Sequence, residues 1–126
     1  MARLLIVDDD PDILELLEGM LTPEHEVLVA LDSASALETI RKSPVDVLVT
    51  DIRMPVWNGF MLIQQAKAIV PDLKVIVISA YYDETDEVAR RIVHKYAPVA
   101  LGKPITHDAI TAAVAASLPH PAPPAA

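Results

Sequence analysis

Residues 4–11 read Leu4-Leu5-Ile6-Val7-Asp8-Asp9-Asp10-Pro11: four aliphatic residues, three aspartates and a proline. An apolar run of four that meets three carboxylates is too short and too charged for a signal-peptide core. It suits a short buried strand whose carboxyl end turns polar. Pro11 fits the first turn of a helix, where its missing N–H is not needed and Asp10 can serve as N-cap. The segment is therefore strand, acidic turn, helix, with the carboxylates at the junction.

The same order repeats along the chain. Residues 3–8, 45–51 and 74–79 are short, mostly aliphatic or β-branched runs that each end in a polar residue, and weaker strands are expected at 26–31 and 99–102. Helical spacing falls between them: at 12–21 with Ile13, Leu16, Leu17, Met20 and Leu21, at 34–42 with Ala36, Leu37 and Ile40, and at 59–70 with Leu62, Ile63, Ala66 and Ile69. Two further helices are expected at 84–96, with Val88, Ile92 and Tyr96, and at 106–118, with Ile110, Val114 and Leu118. The prolines at 11, 23, 44, 55, 71, 98 and 104 punctuate this pattern, because proline is poorly tolerated inside helices and central strands. Asp32 or Ser33 can cap the second helix and Thr106 the last, while Gly19 weakens the end of the first helix by about 1 kcal/mol relative to alanine. The resulting (βα)5 order implies right-handed crossovers and a doubly wound, five-stranded parallel sheet with helices on both faces, an α/β fold.

Composition narrows the classes further. A chain of 126 residues suits one compact domain, and the absence of cysteine excludes a disulfide framework, a thiolate metal site and a cysteine nucleophile. No stretch supplies the roughly 18–20 apolar residues of a membrane span. Ten basic against eighteen acidic residues, net charge −8, with one Trp, three Tyr and one Phe, argue against direct nucleic-acid binding. A cytoplasmic protein is expected, with residues 1–118 as the domain and the Pro/Ala-rich residues 119–126 as a tail or linker stub. Eight such residues leave no room for an output module, so output is expected to pass through a protein partner.

In an open doubly wound sheet, ligands bind outside the carboxyl ends of the strands, where the strand order reverses. Those ends carry Asp8-Asp9-Asp10, Asp51, Ser79-Ala80 and Gly102-Lys103-Pro104. If the order is 2-1-3-4-5, the flavodoxin- or CheY-like arrangement, strands one and three flank the reversal, and three carboxylates, a hydroxyl and an ammonium share one rim. Clustered carboxylates repel one another, a conflict that a divalent cation relieves. Mg²⁺ takes oxygen ligands, keeps several waters and commonly uses one or two carboxylates together with phosphate oxygens. A carboxylate can attack phosphorus to form an acyl phosphate, with Lys103 supplying a point charge and Ser79 a hydrogen bond. A calcium loop beginning at Asp8 fails, since Ile13 and Gly19 stand where Gly and Glu are needed. The histidines at 25, 94, 107 and 120 have no mutual metal-ligand spacing and are expected to be solvated surface residues.

Four segments together resemble the response-regulator receiver family: Leu5-Ile6-Val7-Asp8-Asp9-Asp10, Thr50-Asp51-Ile52-Arg53-Met54-Pro55-Val56-Trp57-Asn58-Gly59, Val77-Ile78-Ser79-Ala80 and Lys103-Pro104-Ile105. Each is common alone; all four in order at strand ends are specific, and the likeness extends over about residues 3–118. The resemblance implies a stand-alone receiver in two-component signalling, phosphorylated on Asp51 by a sensor histidine kinase or a histidine phosphotransfer protein. It implies Mg²⁺, or Mn²⁺, held by Asp9, Asp51 and the backbone carbonyl of Arg53, with Asp8 acting through water. It makes Ser79 and Lys103 the partners of the phosphoryl group and the Lys103–Pro104 bond cis. Arg53 and Tyr81 stand at the two variable positions that govern water access to the phosphoryl group. Ala100 replaces the aromatic residue that many receivers use as a switch, so Ser79, Tyr81, Ala100 and Pro104 are the switch and output positions. Such a protein catalyses only its own phosphorylation and dephosphorylation, and signals by binding a downstream partner. Two other readings compete: a phosphorylation-independent interaction domain, favoured by Ala100, and a small aspartyl phosphatase, disfavoured because Pro11-Asp12 follows the aspartates.

Overall fold

In this computed structural model, the described residues are 2–22, 24–51, 59–79, 99–102 and 105–117. The aliphatic runs form five strands: β1 (Arg3–Val7), β2 (Glu26–Ala30), β3 (Val47–Asp51), β4 (Lys74–Ser79) and β5 (Val99–Gly102). All neighbours pair parallel in the order β2-β1-β3-β4-β5, the order expected for a doubly wound sheet. Parallel neighbours cannot be joined by a tight hairpin. Among the described residues, α1 (Pro11–Leu21), α2 (Ser33–Lys42) and α3 (Gly59–Ile69) fill crossovers between strands, and α4 (His107–Ser117) follows β5. The helix expected at 84–96 and Leu118 lie outside the described residues.

Period-two alternation splits the strand side chains between two apolar layers. On one face Leu5, Val7, Leu48, Val75 and Val77 pack with Ala36, Leu37 and Ile40 of α2 and Leu62, Ile63 and Ala66 of α3. On the other, Leu4, Ile6, Val47, Val49, Ile76 and Ile78 meet Leu14, Leu17 and Leu21 of α1 and Ile110, Ala113 and Val114 of α4. Each fully buried Leu or Ile contributes about 1.5–3 kcal/mol of burial free energy. The central strands β1 and β3 carry the apolar runs Leu4–Val7 and Val47–Val49 because both of their faces are covered.

The apolar face of α1 departs from expectation. Leu14, absent from the predicted face, is buried, and Leu16, assigned to it, is 48% exposed. Apolar residues at 13, 14, 16, 17, 20 and 21 cover so much of this helix that spacing alone permits more than one orientation on the sheet. The helix runs through Gly19 to Leu21, and the Thr22 N–H closes its end on the Glu18 carbonyl at 2.9 Å. Of the two candidate caps of α2, Asp32 takes the role, accepting from the Ser35 N–H at 2.7 Å. The hydrogen bonds from Ser35 hold the Asp32 carboxyl below the usual aspartate value. Thr106 caps α4, its hydroxyl oxygen accepting from the Ala109 N–H at 3.1 Å.

β3 begins two residues later than the predicted 45, because Asp46 makes a clasp at the amino edge of the sheet. Its carboxylate accepts from the Arg3 N–H at 2.8 Å, its own N–H donates to the Arg3 carbonyl at 2.8 Å, and its carbonyl accepts from the Lys74 N–H at 3.2 Å. The Arg3 guanidinium adds bonds to Glu26 at 3.0 Å and to the Pro44 carbonyl at 3.2 Å. One residue thus links the starts of β1, β3 and β4. His25 is likewise not a free surface residue: it is half-buried, and its Nδ1 accepts from the Ala2 N–H at 3.2 Å.

Leu48, the second residue of β3, lies fully buried in the layer it shares with α2 and α3. Truncating it to alanine is expected to lower the unfolding free energy in urea by about 3 kcal/mol, as buried leucine truncations do. A loss below about 1 kcal/mol would contradict this packing.

Candidate functional site

Because every strand runs the same way, all carboxyl ends lie along one rim of the sheet. The order reverses between β1 and β3, since β2 lies on one side of β1 and β3 to β5 on the other. Val7 pairs with Thr50 across that crevice, and the next residue on each strand is an aspartate, Asp8 and Asp51. Further along the rim Asp51 pairs with Ile78, so Ser79 stands one residue beyond it, and Ser79 pairs in turn with Gly102. Ala100 pairs with Val77 deeper in the sheet. Arg53, Tyr81, Lys103 and Pro104 lie outside the described residues.

The two aspartates are buried to a degree unusual for carboxylates: Asp8 is 2% and Asp51 7% exposed. Alternation gives both the parity of Ile6 and Val49, the α1 and α4 side of the sheet. Asp8 is anchored at both ends. Its N–H donates to the Ala30 carbonyl at 3.2 Å, and its Oδ1 accepts from the Asp10 N–H at 2.9 Å. Asp10 then starts α1: its Oδ1 accepts from the Asp12 N–H at 2.9 Å, and its carbonyl accepts from Ile13 and Leu14 at 3.1 and 3.3 Å. The turn expected from Asp8-Asp9-Asp10-Pro11 therefore has a division of labour, with Asp8 facing the crevice, Asp9 exposed and Asp10 capping the helix.

Among the described residues, no three His, Asp or Glu side chains cluster closely enough to hold a metal by themselves. The donors present nonetheless fit Mg²⁺. They are hard oxygens, two of them buried carboxylates at neighbouring strand ends, and Mg²⁺ needs only one or two carboxylates because it retains waters. A buried carboxylate pair also gains most from a cation, since little solvent screens it.

One polar residue near the rim has no role that motif or spacing announces. Thr50 is fully buried, and its hydroxyl donates to the carbonyl oxygen of Asp51 at 3.0 Å. The signal was legible in the run Val47-Leu48-Val49-Thr50, where it is the one polar residue. Elsewhere, a shallow groove of about 570 Å³ is lined by Asp12, Glu15, Leu16, Gly19, Met20 and His107. It holds neither buried aspartate.

A five-stranded parallel sheet in this order, with buried acids at its reversal point, is the mark of a CheY-like α/β protein. Residues 4–115 match the family model described as the response regulator receiver domain, and the chain belongs to that family. Receiver domains of this family are generally not classical enzymes. Similar proteins include the transcriptional regulatory protein GlrR of Escherichia coli, 34% identical over 125 residues that make up 97% of this chain and 27% of that protein. The transcriptional regulatory protein PrrA of Mycobacterium tuberculosis is 40% identical over 88 residues, 69% of this chain and 38% of that protein. The chain thus spans between about a quarter and two fifths of the length of these curated relatives. Among solved structures, a CheY-like receiver domain protein from Methanospirillum hungatei superposes with a TM-score of 0.85 at 26% identity, over 92% of each chain. No described helix is long and apolar enough to cross a membrane.

Replacing Asp10 by alanine removes the N-cap of α1 and is expected to cost about 1 kcal/mol of stability in urea unfolding, with serine retaining most of it. Equal stabilities for wild type and Asp10→Ala would contradict the capping role.

Proposed function

We propose that this protein is a two-component receiver that takes a phosphoryl group onto the Asp51 carboxylate from the phosphohistidine of a sensor histidine kinase or a histidine phosphotransfer protein. The observation that carries the reading is the paired burial of Asp8 and Asp51 at the reversal point of the sheet. The family match and the motif residues of the sequence support it.

A carboxylate oxygen of Asp51 attacks phosphorus, the phosphorus–nitrogen bond of the donor breaks, and the imidazole leaves. Asp9, Asp51 and the Arg53 carbonyl, with Asp8 through water, would hold Mg²⁺ or Mn²⁺, which when bound would supply positive charge against the carboxylates and phosphoryl oxygens. Burial keeps bulk water from screening that charge, and the Asp10 N–H fixes the rotamer of Asp8 beside it. Lys103 pairs with a phosphoryl oxygen, and the Ser79 hydroxyl donates to another. Dephosphorylation reverses the charge change: water attacks phosphorus, inorganic phosphate leaves, and the Asp51 carboxylate is restored. Arg53 and Tyr81 set how freely that water enters.

Residues 1–118 form the receiver unit and 119–126 a tail or linker stub. The protein works in the cytoplasm, catalyses only its own phosphorylation and dephosphorylation, and passes the signal to a downstream protein through Ser79, Tyr81, Ala100 and Pro104. With alanine at position 100, that signal does not pass through an aromatic residue on β5. The acidic balance of the chain argues against direct nucleic-acid contact.

Incubation with Mg²⁺ and ³²P-labelled acetyl phosphate is expected to give stoichiometric, acid-stable, base-labile label that chelation of Mg²⁺ and Asp51→Asn each abolish. Label that survives Asp51→Asn, or none in the wild type, would overturn the reading; steady turnover of phosphate esters would assign a phosphatase instead.

A further inference from the structure

Thr50 interrupts an otherwise aliphatic strand segment and is fully buried, so its hydroxyl has to be satisfied within the protein. Burying a hydroxyl without a partner costs about 1–3 kcal/mol by mutational measures, and valine, of nearly the same shape, avoids that cost altogether. Alternation places Thr50 with Leu48 on the α2 and α3 side of the sheet, opposite to the side of Asp51. Its hydroxyl donates to the carbonyl oxygen of Asp51 at 3.0 Å.

That carbonyl belongs to the peptide joining Asp51, the last residue of β3, to Ile52. The sheet ladder ends here, with Asp51 opposite Ile78 as the last pair between β3 and β4. A hydrogen bond to this peptide restrains ψ of Asp51, and backbone dihedrals select the rotamers available to the side chain. In-line attack tolerates little error, since a misplacement of about 1 Å can cost about 10²-fold in rate.

We propose that Thr50 is a positioning residue for phosphoryl transfer: its hydroxyl holds the Asp51–Ile52 peptide and so fixes the direction in which the Asp51 carboxylate leaves the strand. This rests on Asp51 as the acceptor. A positioning hydroxyl and a merely structural one differ in signature. Thr50→Val removes a buried hydroxyl from an apolar layer, so stability holds or rises while the rate falls; Thr50→Ser restores the donor.

The test compares wild type, Thr50→Val, Thr50→Ser and Asp51→Asn by initial labelling rate with acetyl phosphate at saturating Mg²⁺, alongside their urea unfolding midpoints. Thr50→Val is expected to label about five- to tenfold more slowly at saturating donor, the order of one lost hydrogen bond, with no fall in midpoint. Thr50→Ser is expected to label within about twofold of wild type. Wild-type labelling by Thr50→Val, equal slowing of both Thr50 variants, or slowing that only follows a lowered midpoint overturns the proposal while leaving Asp51 as acceptor. Absence of label in wild type, or its persistence in Asp51→Asn, removes the acceptor reading and the positioning role with it.

Discussion

In a parallel sheet every strand delivers its carboxyl end to the same edge, and the register of β1 against β3 decides which side chains meet there. Val7 opposite Thr50 makes Asp8 and Asp51 the first residues past the central crevice. A one-residue slip would turn every strand side chain toward the wrong layer, so the two apolar cores lock the register. The clasp of Asp46 on Arg3 sets it from the other end, pinning the first residue of β1 to the residue just before β3 through two 2.8 Å bonds. The acids at the rim are therefore placed by contacts at the opposite edge of the sheet as much as by their own surroundings.

Much of this fold was legible because it depends on burial pattern and punctuation. The runs at 3–8, 45–51 and 74–79 are covered on both faces and read as continuous apolar strands, and Pro11, Pro44 and Pro71 stand beside element ends. What failed had a physical reason. α1 carries apolar residues on too many sides for spacing to distinguish Leu14 from Leu16, and only contact with Leu4 and Ile6 settles it. The role of His25 depends on Ala2, 23 residues away, and no local pattern announces such a bond. Asp46 looked like the second residue of a strand until its carboxylate met the Arg3 N–H.

The site divides in a similar way. That carboxylates gather at the reversal point followed from the (βα)5 order together with Asp8 and Asp51, and the structure places both there, buried. Of the three consecutive aspartates, the cap role of Asp10 was legible from the Pro11 that follows it, whereas the burial of Asp8 beside an exposed Asp9 was not, because residue type alone does not say which carboxylate turns inward. Asp10 bonds backward to Asp8 through its N–H and forward to Asp12 through its carboxylate, tying the start of α1 to the rim. Thr50 acts from the other layer. Ser79 and Lys103 were legible as rim residues from the strand ends, whereas the roles of Arg53, Tyr81 and Pro104 come from the family resemblance alone.

The central claim is that the β1–β3 register makes Asp51 the acceptor of a phosphoryl group. Reduction of the phosphorylated protein with borohydride converts an aspartyl phosphate to homoserine, which mass spectrometry locates by residue. Homoserine at position 51, formed only after incubation with phosphodonor and Mg²⁺, is the result this account requires. Homoserine at position 8, 9 or 10 instead, or phosphate retained on a histidine or hydroxyl residue, would contradict it.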